Sequence, residues 1–292
     1  MITDIESATP ALCRLQLGSE LRRLRMDAGL TSRQVTRKLL WSPSKLTRLE
    51  TGENASVETS DIMALCQIYA ADAETTEVLK GYAAVTKTKR DWWQSPLHRP
   101  VISPGFKAFL GMEATASALH NYESEYVPGL LQTEAYVRVI HHRAYDGLSQ
   151  EEIDRMVALR MTRQEVLRRE SPLKFTAIMS EAVLHRQVGG PEVMRAQLAH
   201  IVEAASVPNV RVQVVPFKAG AHRGMSGAFA TFQFRDRLAL KPIVYLENLA
   251  DHWVTRHDAD VEMYEEAFTD LQALAPGPEE SLSMIKEAMK EF

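Results

Sequence analysis

Three side chains within five positions, Ser44, Thr47 and Arg48, have the types and spacing to read a base edge. An arginine guanidinium can fork onto O6 and N7 of guanine in a major groove, and short hydroxyl side chains permit the close approach this requires. Around them stand groups suited to the phosphates that flank such a groove: Arg33, Arg37, Lys38 and Lys45, with the hydroxyls of Ser32 and Ser42. Phosphate contacts position a protein but carry no sequence information. At Thr31 and Ser32 a helix N-terminus would offer free backbone N–H groups to a further phosphate.

Other chemistries are poorly supplied. None of the nine histidines is followed by Glu, which removes the His-Glu-x-x-His zinc motif. His141-His142 and the pair His252/His257 stand out only locally, adjacent histidines point to different sides of a helix, and the strand-like runs identified below contain none. No metal site is expected. Ser226 lies in HRGMSG, which is not the Gly-x-Ser-x-Gly elbow of a hydrolase; it reads as a turn before a strand, or as a loop closing over a ligand or partner. Arg155, Arg160, Arg163, Arg168 and Arg169 read as the solvated or salt-bridged face of a helix rather than a phosphate site. The expectation is no cofactor and no catalytic residue.

The elements that must position the candidate residues follow from composition and pattern. With 292 residues, 45% apolar and 25% charged, the chain can bury a sizeable core, and its length allows about two domains. The formal net charge of −4 argues against a polyanionic partner for the chain as a whole, yet residues 14–50 hold nine bases against three acids, and residues 51–80 six acids against one base. Such a basic block beside an acidic one suggests one face meant for a polyanion and another turned away from it. Two cysteines, Cys13 and Cys66, cannot build a disulfide framework, no apolar run reaches membrane-spanning length, and the acidic start MITDIESATPALC lacks the features of a signal peptide. These features predict a cytoplasmic protein without a membrane partner.

Leu17, Leu21 and Leu24 recur at helical spacing and predict a helix from Leu17 to about Ala28, closed by Gly29. Thr31 and Gln34 form a capping box for a second helix running to about Leu39, with Leu30 and Val35 as a staple. Ser42 then caps a third helix, Pro43 takes its first position, Trp41 can staple onto Leu46, and Thr51-Gly52 ends it. Two short capped helices on so tight a turn are the signature of a helix-turn-helix. On the third helix Leu46 and Leu49 face the core, about 60° apart, while Ser44, Thr47 and Arg48 are left exposed. Glu50 falls near the core edge, where an unpaired carboxylate is costly, and Arg25 of the first helix is its expected partner.

The stretch LRRLRMDAGLTSRQVTRKLLWSPSKLTRLETG resembles the XRE-type, repressor/Cro-like helix-turn-helix over residues 17–72. Ser32 stands where that family often has a phosphate-binding Gln, and Thr36 at its usual Ala. The first departure weakens that phosphate contact.

A fourth helix is expected over residues 57–70, with Cys66 as a small core residue, and a fifth from Glu74 to Val85. KTKRDWWQSPLHRPVISPG reads as a connector whose tryptophans dock it onto a neighbouring domain or subunit. The organisation read from the sequence is a tail at 1–14, a five-helix all-α domain at 15–87, a linker at 88–104 and a mixed α+β domain at 105–292. In the last, helices are expected at Phe106–His120, from Thr133, at Gln150–Glu170, at Pro191–Ala205, near 260–274 and at 279–291. Strands are expected at 173–179, 209–217, 227–234 and 242–247. Helices and strands without regular βαβ alternation make the fold α+β. YVPGLLQTEAYVR, EAVLHRQVGG, PNVRVQVVPF, AHRGMSGAFATFQF and IVYLEN resemble, in order, a domain of unknown function fused behind XRE domains in actinobacterial regulators.

Together these readings imply a DNA-binding transcriptional regulator. Because one such reader binds weakly, a homodimer on a roughly palindromic double-stranded operator is expected. The C-terminal domain is then expected to dimerise and to respond to a small molecule or small partner protein. The rival reading is an antitoxin-like module that sequesters a protein partner and binds DNA only secondarily.

Overall fold

The structure, a computed structural model, describes residues 9–54, 56–144, 147–234, 241–248, 252–255 and 257–292. By their contacts these form two compact units, one of residues 9–95, 106–115 and 234, the other of 96–105, 116–233 and 241–292.

The first unit is helical. Helix α1 (Pro10–Asp27) starts well before Leu17: Thr9 caps it, accepting from the Leu12 N–H, and Pro10 fills the first position, where a missing N–H costs nothing. The expected tail therefore ends in helix, and its first eight residues lie outside the described ones. The early start was hidden because Ala11, Cys13, Arg14, Leu15, Gln16 and Leu17 are all buried, so no amphipathic stripe marks this part of α1. Helices α2 (Ser32–Leu39) and α3 (Pro43–Thr51) follow, with Gly52 closing α3 at φ +78°. Helices α4 (Thr59–Tyr69) and α5 (Ala73–Thr88) complete the core of Leu17, Leu21, Val35, Leu46, Leu49, Ile62, Leu65, Leu79 and Tyr82.

The segment after α5 docks within this unit. Asp91, buried, accepts from the Ala11 N–H at 3.0 Å and from Arg14 Nη2 at 2.7 Å, and Trp93 is buried beside it in sequence. Helix α6 (Pro104–Thr115) groups with this unit from Phe106 onward.

The second unit is built on a six-stranded mixed sheet of order β3-β2-β1-β4-β5-β6. Its strands are β1 (Ala118–Glu123), β2 (Lys174–Ser180), β3 (Val210–Val215), β4 (Phe229–Gln233), β5 (Ile243–Glu247) and β6 (His252–Thr255). The first three run parallel, so their crossovers carry helices: α7 (Glu134–Ala144) and α8 (Gln150–Arg163), then α9 (Ala182–His185) and α10 (Pro191–Ala204). Strands β4, β5 and β6 add antiparallel on the other side of β1. Helix α11 (Asp258–Leu274) covers one face through Phe268 and Leu271, packed on Tyr122, Ile178 and Phe229, and α12 (Pro278–Ala288) follows. The fold is α+β.

Three expectations need correction. The helix expected to run to His120 stops at Thr115, because Ala118–Glu123 pairs on both edges and is the central strand. The helix expected to reach Glu170 gives way after Arg163 to a 3-10 turn at Gln164–Leu167, with Arg163 buried rather than solvated. Histidine does occur in the strands, at His120 in β1 and His252 in β6.

Candidate nucleic-acid interface

Helices α2 and α3 are positioned by local rules. The Thr31 hydroxyl accepts from the Gln34 N–H, and the Gln34 side-chain carbonyl accepts from the Thr31 N–H at 2.8 Å. The Thr31 hydroxyl also donates to that carbonyl, so capping uses the whole side chain and any anion at this end would meet backbone N–H groups. Thr36, buried in α2, donates its hydroxyl to the Ser32 carbonyl at 3.0 Å, which removes the cost of a polar group there. Ser42 occupies the cap of α3 but its hydroxyl lies 3.1 Å from that of Ser44 and makes no capping bond.

Helix α3 is fixed to the scaffold on one side and open on the other. Leu46 and Leu49 are buried, and Glu50, also buried, accepts from Arg25 Nε at 2.7 Å and Nη2 at 2.9 Å. The third nitrogen of Arg25 donates to the Leu30 carbonyl at 2.9 Å, tying the turn before α2 to the same guanidinium. The Glu50 hydrogen bonds raise the Arg25 pKa, and burial beside Glu50 pushes the Tyr69 phenol up. Ser44, Thr47 and Arg48 are exposed on the other face, Thr47 bonding back to the Pro43 carbonyl at 3.1 Å.

The cations of residues 14–50 separate into two sets. Arg14 pairs with Asp91, Arg23 with Glu20 and Asp27, Arg25 with Glu50 and Lys45 with Asp61. Lys45 also sits 3.9 Å over the Trp41 ring, so its charge is engaged within the fold. Arg33, Arg37, Lys38 and Arg48 are exposed and make no ion pair among the described residues; the same holds for Arg22 on α1, which the sequence reading passed over. The signal for this division is long-range, since Asp61 and Asp91 lie on other elements.

Two glycines set the approach of α1 to α3. A Cβ on Gly18 would lie 2.6 Å from the Leu49 carbonyl oxygen, and one on Gly52 would lie 3.2 Å from the Arg14 carbonyl. Among the described residues no group of His, Cys, Asp or Glu is placed to hold a metal ion, and no helix is long and apolar enough to cross a membrane.

Two short helices on a tight turn, with an exposed polar face and cations unpaired among the described residues, define a helix-turn-helix unit, and a helix-turn-helix domain family matches residues 16–79. A family described as a domain of unknown function (DUF5753) matches residues 106–287, well over half the chain, and the protein belongs to that family. No curated protein and no solved structure matches the chain. The helix-turn-helix domain supports a DNA-binding regulator.

Proposed function

We propose that this chain is a sequence-specific transcriptional regulator of the XRE, repressor/Cro-like type, of the kind that actinobacterial regulators represent, and not an enzyme. The observation that carries this reading is the division of cations. Arg33, Arg37, Lys38 and Arg48 stand exposed and unpaired among the described residues beside Ser44 and Thr47, whereas Arg14, Arg25 and Lys45 are neutralised by carboxylates of the scaffold. In this reading Arg48, Ser44 and Thr47 meet base edges in the major groove. Arg33, Arg37, Lys38 and the backbone at Ser32 meet phosphates, with Ser42 at the flank, while Lys45 stays with Asp61 and Trp41. The protein acts in the cytoplasm as a homodimer on a roughly palindromic operator, and the DUF5753 unit receives a small molecule or small partner protein.

Selection of random duplex DNA by the purified protein, followed by titration of the selected duplex across salt concentrations, tests the reading. Enrichment of a roughly palindromic site with steeply salt-dependent affinity is expected. Arg48→Ala should weaken binding by about 1–3 kcal/mol, confined to one base position in each half-site. Sequence-indifferent DNA binding alongside a tight protein complex would overturn it in favour of partner sequestration.

A further inference from the structure

The second unit carries an open groove of about 670 Å³ between α7 and the Gln187–Gly190 turn, lined by Tyr126, Val139, Ile140, Arg143 and Val188. Its chemistry is uneven in an informative way. Val139, Ile140 and Val188 supply an apolar floor, and Tyr126, nearly half exposed at 47%, presents a ring and a phenol. Arg143 is exposed and, unlike Arg138 on the same helix, which pairs with Glu134 and Asp154, makes no ion pair among the described residues. Glu125 and Arg186, adjacent in sequence to the lining residues Tyr126 and Gln187, pair with each other. Arg143 is therefore the one uncompensated charge among the lining residues.

The backbone keeps this groove open. Gly189, at φ +77°, lies so close to α7 that a Cβ would come within 2.9 Å of Val139 Cγ2. At Gly190, φ +88°, a Cβ would meet nothing within 4 Å. The turn thus packs against α7 at one glycine and leaves space beside the next.

We infer that this groove is a binding site for a small amphiphilic carboxylate, its anionic head held by Arg143 with help from the Tyr126 phenol and its apolar body laid along Val139, Ile140 and Val188. A guanidinium fork matches a carboxylate in a bidentate way, and a single cation balances a monoanion rather than a phosphate dianion. The volume suits a molecule of drug size, which such sites hold by apolar walls with a few placed polar groups. This deepens the proposed regulatory reading by naming the class of ligand that the DUF5753 unit would receive, and it rests on that reading only for its consequence on DNA.

The test is calorimetric titration of the full-length wild-type chain with octanoate and with 4-phenylbutyrate, octanol serving as the uncharged control. Saturable binding of at least one carboxylate, with octanol at least tenfold weaker, is expected. Arg143→Gln should lower carboxylate affinity about tenfold or more, Arg143→Lys should recover part of it, and Ile140→Trp, which fills the groove, should abolish binding. Thermal melts of each variant establish that it is folded. No binding of either carboxylate to the folded wild type, equal binding of octanol, or affinity unchanged in both Arg143→Gln and Ile140→Trp would overturn the site. The operator affinity of the ligand-saturated protein is a separate readout: carboxylate binding that leaves it unchanged keeps the site and removes its regulatory consequence.

Discussion

Arg25 and Glu50 meet in a two-pronged ion pair, Nε to Oε1 at 2.7 Å and Nη2 to Oε2 at 2.9 Å, that joins α1 to the last turn of α3. Their side chains are only 12% and 9% exposed, so each charge depends on the other. Removing one partner strands a buried charge, and Glu50→Ala should cost about 3–5 kcal/mol of stability. The double variant Arg25→Met/Glu50→Leu should recover most of it, because well-packed apolar residues replace such pairs at little cost. Chemical denaturation of the two variants beside the wild type checks this. Equal destabilisation by the single and double variants would show that packing, not charge, dominates the site.

Asp91 ties the segment after α5 to the start of α1 through the Ala11 N–H and Arg14. Deleting residues 1–14 should therefore destabilise the helical unit markedly, whereas a loose tail could be removed freely. Asp91→Ala should reproduce much of the loss, since Arg14 is buried and loses its carboxylate partner. Circular dichroism melts of the truncated and substituted proteins read this directly.

What was legible in the sequence was what local chemistry specifies. Thr31 with Gln34, Pro43 at the start of α3 and Gly52 at its end mark the boundaries of α2 and α3 without reference to the rest of the chain. The Arg25–Glu50 contact followed from helical geometry, because a carboxylate beside Leu46 and Leu49 needs a cation. By contrast, Ala118–Glu123 contains His and Asn and reads on from the helix before it. It is a strand because β2 and β4 pair with it on both sides, across more than fifty residues of sequence. The same applies to the interface: Lys45 and Lys38 look alike in sequence, and only the fold brings Asp61 to one of them.

Leu40, which joins α2 to α3, is left-handed at φ 55° and 93% exposed. A Cβ at such a φ costs about 1–2 kcal/mol, and no burial of this side chain offsets it. Leu40→Gly should therefore raise stability by up to about 1 kcal/mol despite the greater freedom glycine gives the unfolded chain. Leu40→Val should lower it, because a branched Cβ is worse tolerated at positive φ. Paired thermal melts decide the sign. A loss on Leu40→Gly would mean that the added freedom of the unfolded chain outweighs the strain relieved at positive φ.

Two groups of the DUF5753 unit give stability opposite pH dependences. Burial, aided by Arg160, lowers the His141 pKa from 6.5 to about 4. Between those values the unfolded chain binds the proton and the folded one does not, so stability falls as pH drops from about 6.5 to 4. Burial raises the Glu123 carboxyl from 4.5 to about 7, so there the folded chain holds the proton and stability falls as pH rises through that window. Because the two windows overlap, the contributions offset each other in the wild type, so Glu123→Gln should leave stability rising with pH up to about 6.5, and His141→Gln should leave it falling as pH rises toward about 7. Denaturant midpoints from pH 4 to pH 8 separate the two.

The division of cations predicts how DNA affinity responds to salt. Each phosphate neutralised by a free cation adds about 0.9 to the slope of log affinity against log salt. Arg37→Ala and Lys38→Ala should each reduce that slope by about 1 and weaken all sequences alike. Lys45 begins paired, its ammonium 2.8 Å from Asp61 and stacked on Trp41, so contact with a phosphate would require giving up both. Lys45→Ala should leave the slope nearly unchanged while lowering protein stability through loss of the Asp61 contact. A full unit of slope lost on Lys45→Ala would show that DNA draws this lysine out of the scaffold, and the interface would then extend across the Trp41 side of α3.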